Sequence, residues 1–188
     1  MNLYRLNTNN PPNAYDRLGL DTMEQCEKAL RDAVSDPNSR INKLRKALRD
    51  EGCPEPKAYC ICCEKSYDAY FDVARNALIF CYNNRRLEET TGNYGMDTSY
   101  EAALYHEFVH AWQRCAGEKP QGWSKCRYAM CREIQAYAAA NCPDSQTRKQ
   151  CIRSGALSSA KETCDNEGMG ISEMEKLFEE LYEGCSKF

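Results

Sequence analysis

The sequence predicts an α+β protein, mainly helical, with a short β-hairpin and a framework of disulfides. Three observations predict it. Apolar residues recur at helical spacing in six segments between residues 22 and 185. Two short runs rich in aromatic and aliphatic residues flank Arg75-Asn76, a turn pair. Thirteen cysteines, about 7% of the 188 residues, are spread from end to end, a density expected of disulfide-stapled proteins.

Taken in order, residues 1–20 form a polar arm with Asn9-Asn10-Pro11-Pro12, expected to be extended or wrapped on a partner. Residues 21–188 are expected to form one domain, long enough for a real core. Helices are predicted at 22–34 and 37–51, the second with Ile41, Leu44, Ala47 and Leu48 on one face, and Pro54 and Pro56 end this part. The runs at 69–73 and 77–82 read as the two strands of the hairpin. Thr98-Ser99-Tyr100-Glu101 fits a capping box, in which the Thr98 hydroxyl and Glu101 carboxylate each accept from the other's backbone N–H. From there an apolar run without Gly or Pro reaches Gly117, so this helix is expected to be buried. A second apolar helical stretch spans about 123–141, until Pro143 and Asp144 break it. Helices near 146–165 and 171–185 finish the chain, the last with Ile171, Met174, Leu177, Phe178 and Leu181 as a core-facing stripe.

The buried helix carries His106-Glu107-Phe108-Val109-His110, an H-E-x-x-H in a chain with two histidines in all. Residues i and i+4 lie one above the other on a helix, so both imidazoles can face one ion. Glu107 then sits where it can take a proton from a water. The ordinary alternative is two surface histidines, but the apolar flanks argue against a surface position. The pattern reads as a zinc site in a zincin-like domain, with the hairpin beside it offering an edge for extended peptide.

Catalytic zinc usually takes three protein ligands and keeps a fourth position open. No further histidine exists, so the third must be a carboxylate or a cysteine. Glu133 lies in Cys131-Arg132-Glu133-Ile134-Gln135-Ala136 on the second apolar helix, 23 positions beyond His110, enough for the chain to turn and run back. An acid in an apolar stretch needs a partner, and a metal is one. Pairing with Arg114 or Arg132 is the alternative, and Cys126 and Cys131 are competing ligands. The implied chemistry is hydrolysis of a peptide or similar amide. Zinc lowers the pKa of a water toward about 7 and polarises the carbonyl, while Glu107 accepts the proton and returns it to the leaving amine. Tyr105, Tyr128 and Tyr137 are candidate donors to the developing oxyanion, though packing is the commoner role of such residues.

A formal net charge of −3 with both signs dispersed gives no nucleic-acid footprint. Mean hydropathy is −0.76 and no apolar run approaches the ~18 residues of a transmembrane helix. The first residues lack a secretory apolar segment and an Arg/Ser-rich presequence. These features predict a soluble protein. The cysteines are Cys26, Cys53, Cys60, Cys62, Cys63, Cys81, Cys115, Cys126, Cys131, Cys142, Cys151, Cys164 and Cys185. Their number is odd, so at least one thiol is free or intermolecular. Cys60 to Cys63 forms a C-x-x-C, half of a structural zinc site, but no second pair or spare histidine completes it and disulfides are expected instead. Many cysteines without a secretion signal fit the mitochondrial intermembrane space, where proteins are trapped by oxidation.

The ordered series Phe71-Asp72-Val73, then Leu78-Ile79-Phe80-Cys81-Tyr82-Asn83-Asn84, then His106 to Ala111, then Cys131 to Ala136 resembles the mitochondrial inner membrane metalloprotease family that processes and assembles ATP synthase subunit 6. The C-x-x-C before the hairpin, Cys151-Ile152-Arg153 and the late Cys185 extend the resemblance over about residues 26 to 185. It implies zinc on His106 and His110, Glu107 as the catalytic carboxylate and Glu133 in the second motif. It further implies an endopeptidase peripheral to the inner membrane, whose partner is a membrane protein such as ATP synthase subunit 6. Asn83-Asn84-Arg85-Arg86, the insert at 90–95, the segment 118–122 and Gln113, where the resemblance implies an acid, depart from the pattern. Two classes of function follow. One is a zinc endopeptidase that trims a membrane-protein precursor, favoured by the intact Glu107. The other is a non-proteolytic assembly factor or structural subunit of a respiratory or ATP synthase complex, favoured by the arm and altered loops. A secreted disulfide-rich binding module would leave both histidines unexplained.

Overall fold

The computed structural model describes residues 22–63, 69–82, 93–117 and 119–187. The arm expected at 1–20, Asn83 to Arg86, the first part of the 90–95 insert and Glu118 lie outside the described residues. The fold is the mainly helical α+β arrangement that the sequence predicts, with six α-helices and a three-stranded sheet among the described residues. The chain divides into two units, Met1–Thr90 with Ser99–Trp112, and Thr91–Thr98 with Gln113–Phe188.

In the first unit, α1 (Met23–Ala33) starts at a complete capping box: Gln25 N donates to the Thr22 hydroxyl and Thr22 N to the Gln25 side chain. α2 (Arg40–Asp50) is capped by Ser39 and buries Ile41, Leu44 and Leu48 at helical spacing. Asn42 closes the turn between them, its amide donating to the carbonyls of Val34 and Asp36. Arg45 and Arg49 both pair with Glu55 and fix the exit from α2.

The sheet has the order β1-β3-β2, with β1 (Lys57–Ile61) parallel and β2 (Ala69–Asp72) antiparallel to β3 (Ala77–Cys81). The central β3 is buried at every position, as a strand flanked on both sides should be. β2 and β3 are the expected hairpin. Asn76 takes the turn position at φ 47°, where Asn is among the residues that tolerate a left-handed backbone, and its side chain donates to the Pro54 carbonyl. β1 is an addition that the sequence reading did not make. Cys26–Cys60 ties α1 to β1, and Cys63–Cys81 ties the end of β1 to β3, so the C-x-x-C serves two disulfides.

α3 (Tyr100–Ala116) carries the H-E-x-x-H, and its N-cap corrects the expectation at Thr98. Ala102 N donates to the Ser99 hydroxyl and Ala103 N to the Ser99 carbonyl, so Ser99 is the cap. Glu101 pairs with Arg40 on α2. The Tyr100 ring lies 6.3 Å from that of Phe80 on β3. At the other end Gly117 N reaches the Gln113 carbonyl, and a Cβ on residue 117 would sit 2.5 Å from that oxygen. Only glycine ends the helix in this way.

The second unit is built on α4 (Lys125–Ala140), α5 (Arg148–Asp165) and α6 (Ile171–Cys185). Met130 and Ile134 of α4, Ile152 and Ala156 of α5, and Met174 and Phe178 of α6 share one core. Cys126–Cys164, Cys131–Cys185 and Cys142–Cys151 staple it. Cys53 and Cys115 are also disulfide-bonded, while Cys62 is the free, exposed thiol that the odd count requires. Four residues of the α6 stripe are buried, but Ile171, its first residue, is exposed before the helix has completed a turn. Among the described residues no helix is long and apolar enough to cross a membrane.

Candidate metal centre

Nothing in 100–116 interrupts the helix, since it holds neither Gly nor Pro and Ser99 satisfies its first turn. Helical geometry therefore sets the two histidines before any tertiary contact is made. Both are buried, as is Glu107 between them. The Nε2 atoms of His106 and His110 stand 3.1 Å apart, with the rings edge to face. Two nitrogens bound to one tetrahedral zinc at 2.0–2.1 Å are separated by about 3.3 Å. The observed spacing therefore fits a shared ion, although one ring can also donate to the other at this distance.

Glu133 lies on α4 between Cys131 and Ile134 and is half-buried. His106, His110 and Glu133 each offer one ligand atom, and these atoms all lie within 4.8 Å of one another. Two imidazoles and one carboxylate make a donor set that suits zinc, which would take a water or substrate as its remaining ligand. The residues present fit the metal.

The three tyrosines considered as oxyanion donors each have a packing role. The Tyr137 hydroxyl bonds Ser159 on α5 at 3.0 Å, and its ring fills the space against Gly155. The Arg40 guanidinium lies 4.9 Å above the Tyr105 ring. Burial pushes the Tyr105 hydroxyl up from its usual value and Arg40 opposes the shift, so it stays protonated at neutral pH. Arg132 covers Tyr128 at 5.6 Å.

The family of peptidases described as the Peptidase M76 family matches residues 24–187. The chain belongs to the Peptidase M76 family. This agrees with the resemblance carried by the motif series. No curated protein and no solved structure matches the chain. Membership in M76 makes the chain a metallopeptidase by family, with a candidate three-residue metal site at His106, His110 and Glu133.

The residue that sequence reasoning passed over is Gln113, noted there only as a departure. It is buried, and its amide makes three hydrogen bonds to Arg132 and Gln135 of α4. Its position seven residues after His106 placed it on the histidine face from the start.

Proposed function

We propose that this M76 protein is a zinc-dependent endopeptidase of the mitochondrial intermembrane space, peripheral to the inner membrane, that trims a membrane-protein precursor and assists ATP synthase assembly. The carrying observation is the pair of buried Nε2 atoms 3.1 Å apart on α3, with the buried Glu107 next to one of them. His106 and His110 hold the metal and Glu133 is the third ligand. Zinc, when bound, lowers the pKa of a water toward about 7 and polarises a substrate carbonyl. Glu107 accepts the proton of the attacking water and returns it to the departing amine. Its place on the same helix as both histidines fixes it for this task without help from a loop. The disulfides support an oxidising compartment, where thiols pair and persist.

The test is cleavage of an ATP synthase subunit 6 precursor and of a peptide library by zinc-loaded wild type and Glu107→Gln, with zinc content assayed in both. The proposal expects one zinc in each and a loss of about 10²–10⁴ in rate for the variant. Zinc in both proteins and cleavage by neither would sink the protease reading. It would favour the second one, a non-proteolytic assembly factor or complex subunit. The neutral Gln113, standing where the resemblance implies an acid, is the observation on that side.

A further inference from the structure

Gln113 stands in the same stripe of α3 as the histidines. At about 100° per residue, His110 and Gln113 fall about 40° to one side and 20° to the other of His106. The side chain of residue 113 thus belongs to the metal-binding face, one turn beyond His110, and it is buried there.

Three of its hydrogen bonds go to the stretch of α4 that contains Glu133. Nε2 donates to the Arg132 carbonyl at 3.0 Å and to Gln135 Oε1 at 2.8 Å. Oε1 accepts from Arg132 Nε at 3.1 Å. The Arg132 carbonyl belongs to the peptide unit that leads into Glu133, and Gln135 follows two residues later. Gln113 therefore grips the chain on both sides of the proposed third ligand. The amide orientation is fixed by chemistry: the two acceptors need a donor, and the guanidinium offers only N–H. A carboxylate could take the Arg132 bond but has nothing to donate to the Arg132 carbonyl. An amide satisfies both groups of Arg132.

We infer that Gln113 is a positioning residue for the metal centre, holding the Arg132–Gln135 turn of α4 so that Glu133 is presented to the ion held by His106 and His110. The inference rests on the metal-site reading above. Groups that orient a ligand from outside the coordination sphere act on affinity and geometry together, and their loss commonly costs about 10–100-fold in metal binding. Gln113 does so through α4 backbone and side chain, not through the ligand's own oxygen atoms.

The experiment measures zinc affinity by chelator competition, and the visible spectrum of the cobalt-substituted protein, for wild type, Gln113→Glu, Gln135→Leu and Glu133→Gln. Gln113→Glu should bind zinc about 10–100-fold more weakly and show altered cobalt d–d bands, which report ligand geometry and which a purely structural role would not move. Gln135→Leu removes one of the three bonds at a half-buried position and should shift both readouts in the same direction by less. It keeps the question open to refutation if Gln113→Glu fails to fold. Wild-type affinity and spectrum in both variants would overturn the inference. Failure of wild type to bind zinc, or wild-type binding by Glu133→Gln, would instead overturn the metal-site reading beneath it.

Discussion

Cys131 lies two residues before Glu133, and its bridge to Cys185 joins that part of α4 to the end of α6. Replacing both cysteines by alanine should therefore cost stability and metal affinity together. The loop closed by the bridge spans 54 residues in sequence, but Cys126–Cys164 already shortens it. From Cys131 back to Cys126, across that bridge, and from Cys164 on to Cys185 is about 26 residues. The chain-entropy relation then gives about 3.5 kcal/mol for the lost cross-link. Cys142–Cys151 closes a loop of 9 residues, and the same relation gives about 2.6 kcal/mol. Urea unfolding of the oxidised, metal-free proteins should resolve this gap of about 1 kcal/mol, provided that the dependence on denaturant is unchanged. In zinc the gap should widen. A tenfold weaker metal affinity in the Cys131/Cys185 variant removes about 1.4 kcal/mol more at fixed free zinc, whereas the Cys142/Cys151 variant keeps wild-type affinity. The reasoning fails if the shorter loop proves the costlier to open, or if zinc leaves the gap unchanged.

Two further perturbations probe the α4 framework. A Cβ at Gly155 would lie 2.4 Å from Tyr137 Cε1, a ring whose hydroxyl is held by Ser159, so Gly155→Ala should cost about 1–3 kcal/mol in chemical denaturation. Most of that cost should vanish in a Tyr137→Ala background, and an additive double mutant would show that the ring is not the obstacle. Glu167 accepts from the backbone N–H groups of Cys126 and Lys125 at the start of α4, and these bonds with the Ser124 hydroxyl hold its carboxyl below the ordinary value of 4.5. A depressed folded-state pKa stabilises above the unfolded value and is lost as pH falls through the folded one. The melting temperature of wild type should thus exceed that of Glu167→Gln at pH 7, and the difference should shrink steadily below about pH 4.5. A difference that stays constant down to pH 3 would contradict this.

Most of the helical framework was legible because its signal is local. The expected segment 171–185 coincides with Ile171–Cys185, and 123–141 contains Lys125–Ala140 with two residues to spare at its start. Periodicity and the breakers at Pro143 and Gly117 were enough. The cap of α3 was read one residue early because Thr98 and Ser99 are both good cap residues, and only backbone geometry chooses between them. β1 was missed for a different reason. The alternating burial of Lys57–Ile61 is a strand pattern, but its Cys60 was read only as part of the C-x-x-C and its partner β3 begins 20 positions away in a parallel pairing that no turn announces. The pairing of the cysteines was unreadable on principle, since spacing alone does not select among the many connectivities. Tyr137 shows the limit at a single residue. It looked like a candidate donor beside Glu133, whereas its partner, Ser159, is 22 positions away on α5.

The same division between local and non-local information explains where the covalent staples lie. His106, Glu107 and His110 need no staple to find one another, because four residues of helix fix their relative placement to within a side-chain rotamer. Glu133 has no such help from its neighbours in sequence. Its position follows from the register of α4 against α5 and α6, and a slip of one helical turn would move it by about 5.4 Å, far beyond a metal–oxygen bond. α4 carries a cysteine in its first turn and another in its middle, with a third two residues past its end, and each is bridged to α5 or α6. Glu167 holds its first two N–H groups and Gln113 its central turn. An apolar core of Met130, Ile134 and Ala138 alone would tolerate repacking at modest cost. Three covalent bonds along one helix do not. The three bridges along α4 thus fix the helix that carries Glu133, the proposed third ligand, whose place local geometry cannot set.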